Sequence, residues 1–397
     1  LQGRMEISNS VLQSLSGFKD VYASMNRFLQ DTSKETRDEV NQRLKAQVTL
    51  LRQTMDGLTP DVDASKLLDA QKQTKDIEAR MEGLWLLYTR ETRLHDAMGK
   101  SLNYLAAEQI KILEEATKLQ RSVRQDENSA KSMLREADRL TNASRFFADF
   151  LSDVTKVATP DDKLKIVKER YPLISKTERS IAAILPKNQK VVSTTIRTTI
   201  DELGGYLTSS DPADVTIPEI GRRINRFRQI AIQLQGGAVE KMREATRIFG
   251  ELDEPIIKSE AVLSATRKLV NSIYDVEIIA ARFLGDTSEE NRTKLLASLS
   301  IVTSEIATLR GSANGLAFFD AVGEAVTPVI DKIAADSATL VKISTQRTTD
   351  FDVAGQSIDS ICNLLSQFAE EQKTSACSGR ENANQGSVLA TVFGAAT

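Results

Sequence analysis

Arg27-Phe-Leu-Gln-Asp-Thr-Ser-Lys-Glu-Thr-Arg37 returns as Arg282-Phe-Leu-Gly-Asp-Thr-Ser-Glu-Glu-Asn-Arg292, identical at eight of eleven positions at an offset of 255. At the same offset Asp20-Val21 meets Asp275-Val276, and the breaker-rich Gly57–Pro60 falls on Ser312–Gly315. Self-similarity at a fixed offset marks one supersecondary unit used more than once. Thr32-x-x-Glu35 and Thr287-x-x-Glu290 read as capping boxes, in which the two side chains satisfy orphan amides at the start of a helix. Each copy therefore predicts helix, sharp turn, helix of about 25 residues, second turn, helix. The repeated Arg27 and Arg282 suit a junction lock, together with Thr32, Glu35, Thr287 and Glu290. Bidentate anion binding by the two arginines is the competing reading. A looser third copy begins at Arg145-Phe-Phe and passes through Phe150-Leu151 and Asp161-Asp162 to Pro186 and the 209–218 break.

Outward from the repeat, the apolar spacing is helical throughout. Val40, Leu44, Val48, Leu51, Met55 and Leu58 recur at steps of three and four, as do Leu295, Leu299, Val302, Ile306 and Leu309. No period-2 run bounded by hairpin turns is present. The breakers predict helices over about 5–29, 33–57, 62–157, 161–184, 188–209, 219–283, 288–312 and from 316 onward. A rise of about 96 residues, roughly 140 Å, is balanced by two descents of about 65 residues that overlap by about 32. The expected fold is all-α, an elongated rod of three stacked antiparallel four-helix bundles with both termini at one, membrane-proximal, end. Its modules are 1–88 plus 350–397, 89–120 plus 250–349, and 121–249. Pro255 and Pro328 fall inside helices, where kinks are expected.

Composition agrees with long helices and narrows the chemistry. Gly (19) and Pro (8) make about 7% of the 397 residues, and aromatics 5%, too few turn formers for sandwiches, barrels or doubly wound sheets. Lys+Arg (52) and Asp+Glu (55) leave a net charge of −3, which removes the electrostatic case for a nucleic-acid partner. One histidine and two cysteines leave little material for a metal site, a cofactor or His-based catalysis, so the expectation is no enzyme, no metal and no cofactor. Cys362 and Cys377 would lie about 22 Å apart on one helix and read as free thiols. The apolar Ser387–Thr397 is too short to cross a bilayer, which takes about 20 residues. It reads as a mildly apolar tail or as the start of a membrane helix, and the chain as an excised segment.

Four local patterns bear on chemistry. Gly99-Lys100-Ser101 lacks the glycine that a phosphate loop needs five residues earlier, where Leu94 stands. His95 reads as a solvated or partner-satisfied surface histidine rather than a phosphoacceptor. The Arg222-Arg223-Ile-Asn-Arg226-Phe-Arg228 stretch reads by default as a solvated helix face. In the three-bundle topology, however, Arg228 comes near the level of Arg145 and Arg197, and such a convergence would bind a small carboxylate.

A helical rod with both ends at the membrane resembles the sensory regions of bacterial methyl-accepting chemotaxis proteins. The Arg-Phe-Leu-x-Asp-Thr-Ser-x-Glu run at 27–35 and 282–290 is similar to one common early in their helical-bundle domains. The resemblance is to an enlarged form of the helical bimodular type, with a third module. It implies a homodimer in the periplasm, tied to the inner membrane by flanking helices, that senses a small molecule or a ligand-loaded periplasmic binding protein. No ligand motif of the family can be placed residue by residue. The sensor region of a membrane histidine kinase and a secreted helical scaffold or pore-former are the alternatives.

Overall fold

The computed structural model describes residues 2–60, 62–185, 190–208 and 217–394, and these are helical apart from short turns. The helices are α1 (Gln2–Gln30), α2 (Lys34–Asp56), α3 (Ser65–Lys156), α4 (Pro160–Ala182), α5 (Lys190–Thr208), α6 (Ile217–Gly285), α7 (Glu289–Ser312) and α8 (Ala317–Gly394). Every expected helix is present, with ends within three residues of those read from the breakers. The breakers Pro186-Lys-Asn188 and Ser209–Ala213 lie outside the described residues. α6 continues through Pro255 and α8 through Pro328. α4 likewise carries Pro172, which is exposed.

The chain packs as two compact units. One comprises Leu1–Glu108, Asn271–Ser304 and Glu324–Thr397; the other comprises Gln109–Val270 and Glu305–Gly323. The first has a core fed by four helices, with Phe18, Met25 and Phe28 from α1, Val40, Leu44 and Leu51 from α2, Leu67, Ile77 and Met81 from α3, and Ile361, Leu365 and Phe368 from α8. The second has another, drawing Phe147 and Phe150 from α3, Val167 and Ile174 from α4, Ile196 and Leu203 from α5, and Phe227 and Leu234 from α6. Both follow the amphipathic logic of a bundle, in which each helix buries one stripe and solvates the rest.

The repeat is structural as well as textual. At the 255 offset Ile7/Val262, Val11/Thr266, Ser14/Leu269, Phe18/Ile273, Val21/Val276, Met25/Ala280 and Phe28/Phe283 are all buried, so α1 and the end of α6 share one helical phase. In the first turn Asp31 N donates to Arg27 O (2.9 Å) and Arg37 N to Ser33 O (3.1 Å). In the second, Asp286 N donates to Arg282 O (3.0 Å) and Arg292 N to Ser288 O (3.0 Å).

The capping residues are one position later than the sequence suggested. Ser33, not Thr32, is the N-cap of α2, with extended backbone, and its hydroxyl accepts from Thr36 N at 3.2 Å. Thr36, not Glu35, completes the box by accepting from Ser33 N at 3.1 Å. Ser288 likewise replaces Thr287 and accepts from Asn291 N at 3.3 Å, while Glu290 pairs along the helix with Lys294. The reason is the backbone: Thr32 lies in the turn just past α1, and its hydroxyl donates back to Phe28 O at 3.0 Å instead of facing α2. Glu35 and Glu290 retain a lesser role, as carboxylates in the first turns of α2 and α7.

Candidate functional site

The α3–α6 contact that positions the candidate arginines is aromatic and polar at once. Phe147 stacks on Phe227 with ring centroids 5.2 Å apart, and Phe150 meets the same ring edge-on at 5.4 Å. Beside them Ser144 Oγ, itself buried, donates to Ala231 O at 2.7 Å. This contact sets Arg145 and Arg228 at about one level, and both are exposed. Arg197 on α5 is also exposed, but it is not free: its Nε lies 3.7 Å from Oε1 of Glu178 on α4. A groove of about 360 Å³ in the same unit is lined by Arg139, Asn142, Ala143, Phe146, Thr177 and Ser180, and contains none of the three. The structure thus brings Arg145 and Arg228 to one level and sends Arg197 to a carboxylate.

That carboxylate is the feature sequence reasoning missed. Glu178 sits four residues after Ile174 and three before Ile181, on the buried stripe of α4, and its side chain is only 7% exposed. Its Oε1 accepts no hydrogen bond among the described residues, and Arg197 is its cation. Thr199 on α5 is fully buried, and its hydroxyl also lacks a hydrogen-bond partner. A buried ionised carboxylate is costly unless its lone pairs are filled, and an ion pair at this length fills them poorly. The α4–α5 core therefore includes two buried polar side chains, Glu178 and Thr199, among apolar residues that include Ile174, Ile181, Ile196 and Ile200. A carboxylate so placed can accept from an ammonium or guanidinium donor. The signal was available in sequence, since an acid on an isoleucine stripe breaks the helical pattern.

The other candidates resolve as follows. Gly99-Lys100-Ser101 lies inside α3, where no phosphate-cradling loop exists. His95, expected to be solvated or paired, is half-buried with Nε2 shielded and without a partner. In the arginine run, Arg223 and Arg226 both reach Glu202 on α5 at 3.0 Å, so that face ties α6 to α5 rather than standing solvated. Arg27 grips Glu39 with two contacts of 3.0 Å, which ties α1 to α2 across the turn between them. Arg282 has no ion pair among the described residues, because position 294, the counterpart of Glu39, is lysine. Cys362 is a free, half-buried thiol whose pKa is pushed up by burial and by Asp359 and drawn back by Lys19. The side chain of Cys377 lies outside the described residues. Among those residues no group of three or more His, Cys, Asp or Glu is placed to hold a metal ion, and no helix is long and apolar enough to cross a membrane. Known protein families offer no match to this sequence.

Proposed function

We propose that this chain is the extracytoplasmic sensory region of a bacterial transmembrane chemoreceptor, a periplasmic homodimer that takes a small carboxylate or a ligand-loaded binding protein and passes a helix displacement through the inner membrane. The observation that carries the reading is that the first and last helices feed one core. Phe18, Val21 and Phe28 of α1 lie in the same buried cluster as Ile358, Ile361 and Phe368 of α8. Tyr22 approaches Gly355, where an added Cβ would sit 3.4 Å from the ring. α8 is also tied to α3 by Arg80–Asp350 (3.1 Å), Lys66–Glu371 and Arg347–Glu91. A sliding of α8 against α1 is thus a motion within one packed core, the kind of two-state element a ligand can bias. The Arg197–Glu178 pair between α5 and α4 is the place where a ligand makes unequal contacts in two packings, and without unequal contacts no population shifts.

A thermal-shift screen of small organic acids and amino acids tests this. The expected result is a ligand that raises Tm by at least about 2 °C, a shift lost in Arg197→Ala. The gene that encodes the chain is expected to specify about 20 consecutive apolar residues on each side of it. Absence of those two segments sinks the receptor reading.

A further inference from the structure

Burial along α3 and α6 changes period within the second unit. Between 137 and 154 α3 buries Ala137, Leu140, Ala143, Ser144, Phe147, Phe150, Leu151 and Val154, the dense pattern of a four-helix core. Between 117 and 136 it buries only Val123 and Ala130. α6 does the same: Ile224, Phe227, Ile230, Ala231, Leu234 and Ala238 are buried, but from 239 to 258 only Ala245 and Leu252. Burial at a spacing of seven marks a narrow seam, sparser than the two positions per heptad of a full coiled coil.

The seam can be placed. Ser144–Ala231 and the ion pair of Lys241 with Glu136 (2.5 Å) fix α3 and α6 as antiparallel neighbours in one register. Carried along both helices, that register sets Ala137 opposite Ala238, Ala130 opposite Ala245, Val123 opposite Leu252 and Ala116 opposite Ser259. All eight are buried. The ion pairs along this stretch mostly join residues of one helix: Glu115–Lys118 and Glu127–Lys131 on α3, Glu244–Arg247 and Arg247–Glu251 on α6. They stiffen each helix without fastening it to the other. Both ends are held. On one side the Phe147–Phe227–Phe150 cluster locks the four-helix core. On the other, Lys258 Nζ donates to Asn314 O at 2.5 Å, fastening α6 to the α7–α8 turn.

We propose that α3 residues 117–133 and α6 residues 242–258 form a two-helix hinge, at which the four-helix core of this unit bends against the α7–α8 turn. The helices stay continuous and paired. Bending concentrates here because only two layers, Ala130–Ala245 and Val123–Leu252, are buried along this stretch, so less free energy opposes a change of curvature than in the core beside it. Alanine knobs also let two backbones approach closely and impose little shape of their own, unlike the phenylalanines that follow.

Hydrogen exchange on the whole chain tests the hinge. Amides in 118–132 and 243–257 should exchange at least about tenfold faster than those in 137–154 and 224–238. Equal protection in the two regions overturns the proposal. A second measurement checks the pairing on which it rests. In a Cys362→Ser, Cys377→Ser background, Ala130→Cys with Ala245→Cys should form a disulfide on mild oxidation, because facing alanines in such a seam lie within disulfide reach. That bond should slow exchange around it, while Ala130→Cys with Leu252→Cys, one heptad out of register, should not cross-link. Failure of the 130–245 bond, or equal yield from the 130–252 pair, equally overturns it.

Discussion

The α1–α2 and α6–α7 turns are two readings of one sentence, and their differences show what the repeat conserves. Backbone closure is the same: Asp31 and Asp286 donate to Arg27 O and Arg282 O, and Ser33 and Ser288 cap the next helix. Even a substituted position keeps its role. Thr36 Oγ1 donates to Asp31 O at 2.6 Å, and Asn291 Nδ2 donates to Asp286 O at 3.0 Å. The ion pair is not kept, since Glu39 in the first copy becomes Lys294 in the second. The second turns of the two copies also part. Gly57 ends α2 in right-handed conformation (φ −88°), whereas Gly315 adopts φ +82°, which only glycine reaches without strain. What recurs is local geometry and a buried phenylalanine; the surface charges are free to drift.

The comparison can be broken most forcefully at the phenylalanines. Phe28→Ala and Phe283→Ala should each cost about 3–5 kcal/mol, because both rings are buried (2% and 0% exposed) and the cavity cannot collapse. Chemical denaturation measures this, and a loss under about 1 kcal/mol at either site would mean that the two turns are not equivalent. The caps come next. Ser33→Ala and Ser288→Ala should each lose about 1 kcal/mol, whereas Thr32→Val and Thr287→Val should change stability by less than about 0.5 kcal/mol. A larger loss at the threonines would restore the capping assignment that the structure displaced.

The arginines should separate the copies. A double-mutant cycle on Arg27 and Glu39, whose side chains are 58% and 29% exposed, should give a coupling of about 0.5 kcal/mol or less. Arg282 with Lys294 should give none or a slight repulsion. The smallest effect is electrostatic. Lys294, hydrogen-bonded to Glu290 at 2.6 Å, holds that carboxyl below its ordinary pKa. A depressed acid contributes stability above its unfolded pKa and loses it as pH falls through the folded one. Lys294→Gln should therefore bring the Glu290 titration, followed by NMR, back up towards the usual carboxylate range. No movement would remove the pair as the cause.

Much of the architecture was legible because its signals are local. Breakers, caps and three-four spacing act within a few residues, so every helix appears where the sequence put it. The capping boxes were displaced by one residue because Thr32 and Ser33, like Thr287 and Ser288, are adjacent hydroxyls with similar capping preference. Only the backbone says where the preceding helix ends. The candidate arginines were legible as cations but not as partners. Arg197 is engaged by Glu178, and nothing within a few residues of either announces the pair, since the two sit on different helices.

By itself, then, the sequence determined an all-helical fold, the spans of its expected helices, the buried stripes of α2 and α7 and a turn used twice, because intrahelical hydrogen bonds, caps and side-chain spacing are set by near neighbours. The tertiary structure alone decided which helices share a core, that Glu178 finds its cation on a neighbouring helix, and which residues of α3 and α6 face each other. Burial is a property of what lies across the gap. The alanines at 231, 238 and 245 carry too little hydropathy to announce their partners, so the seam they form shows only when the opposing helix is in place.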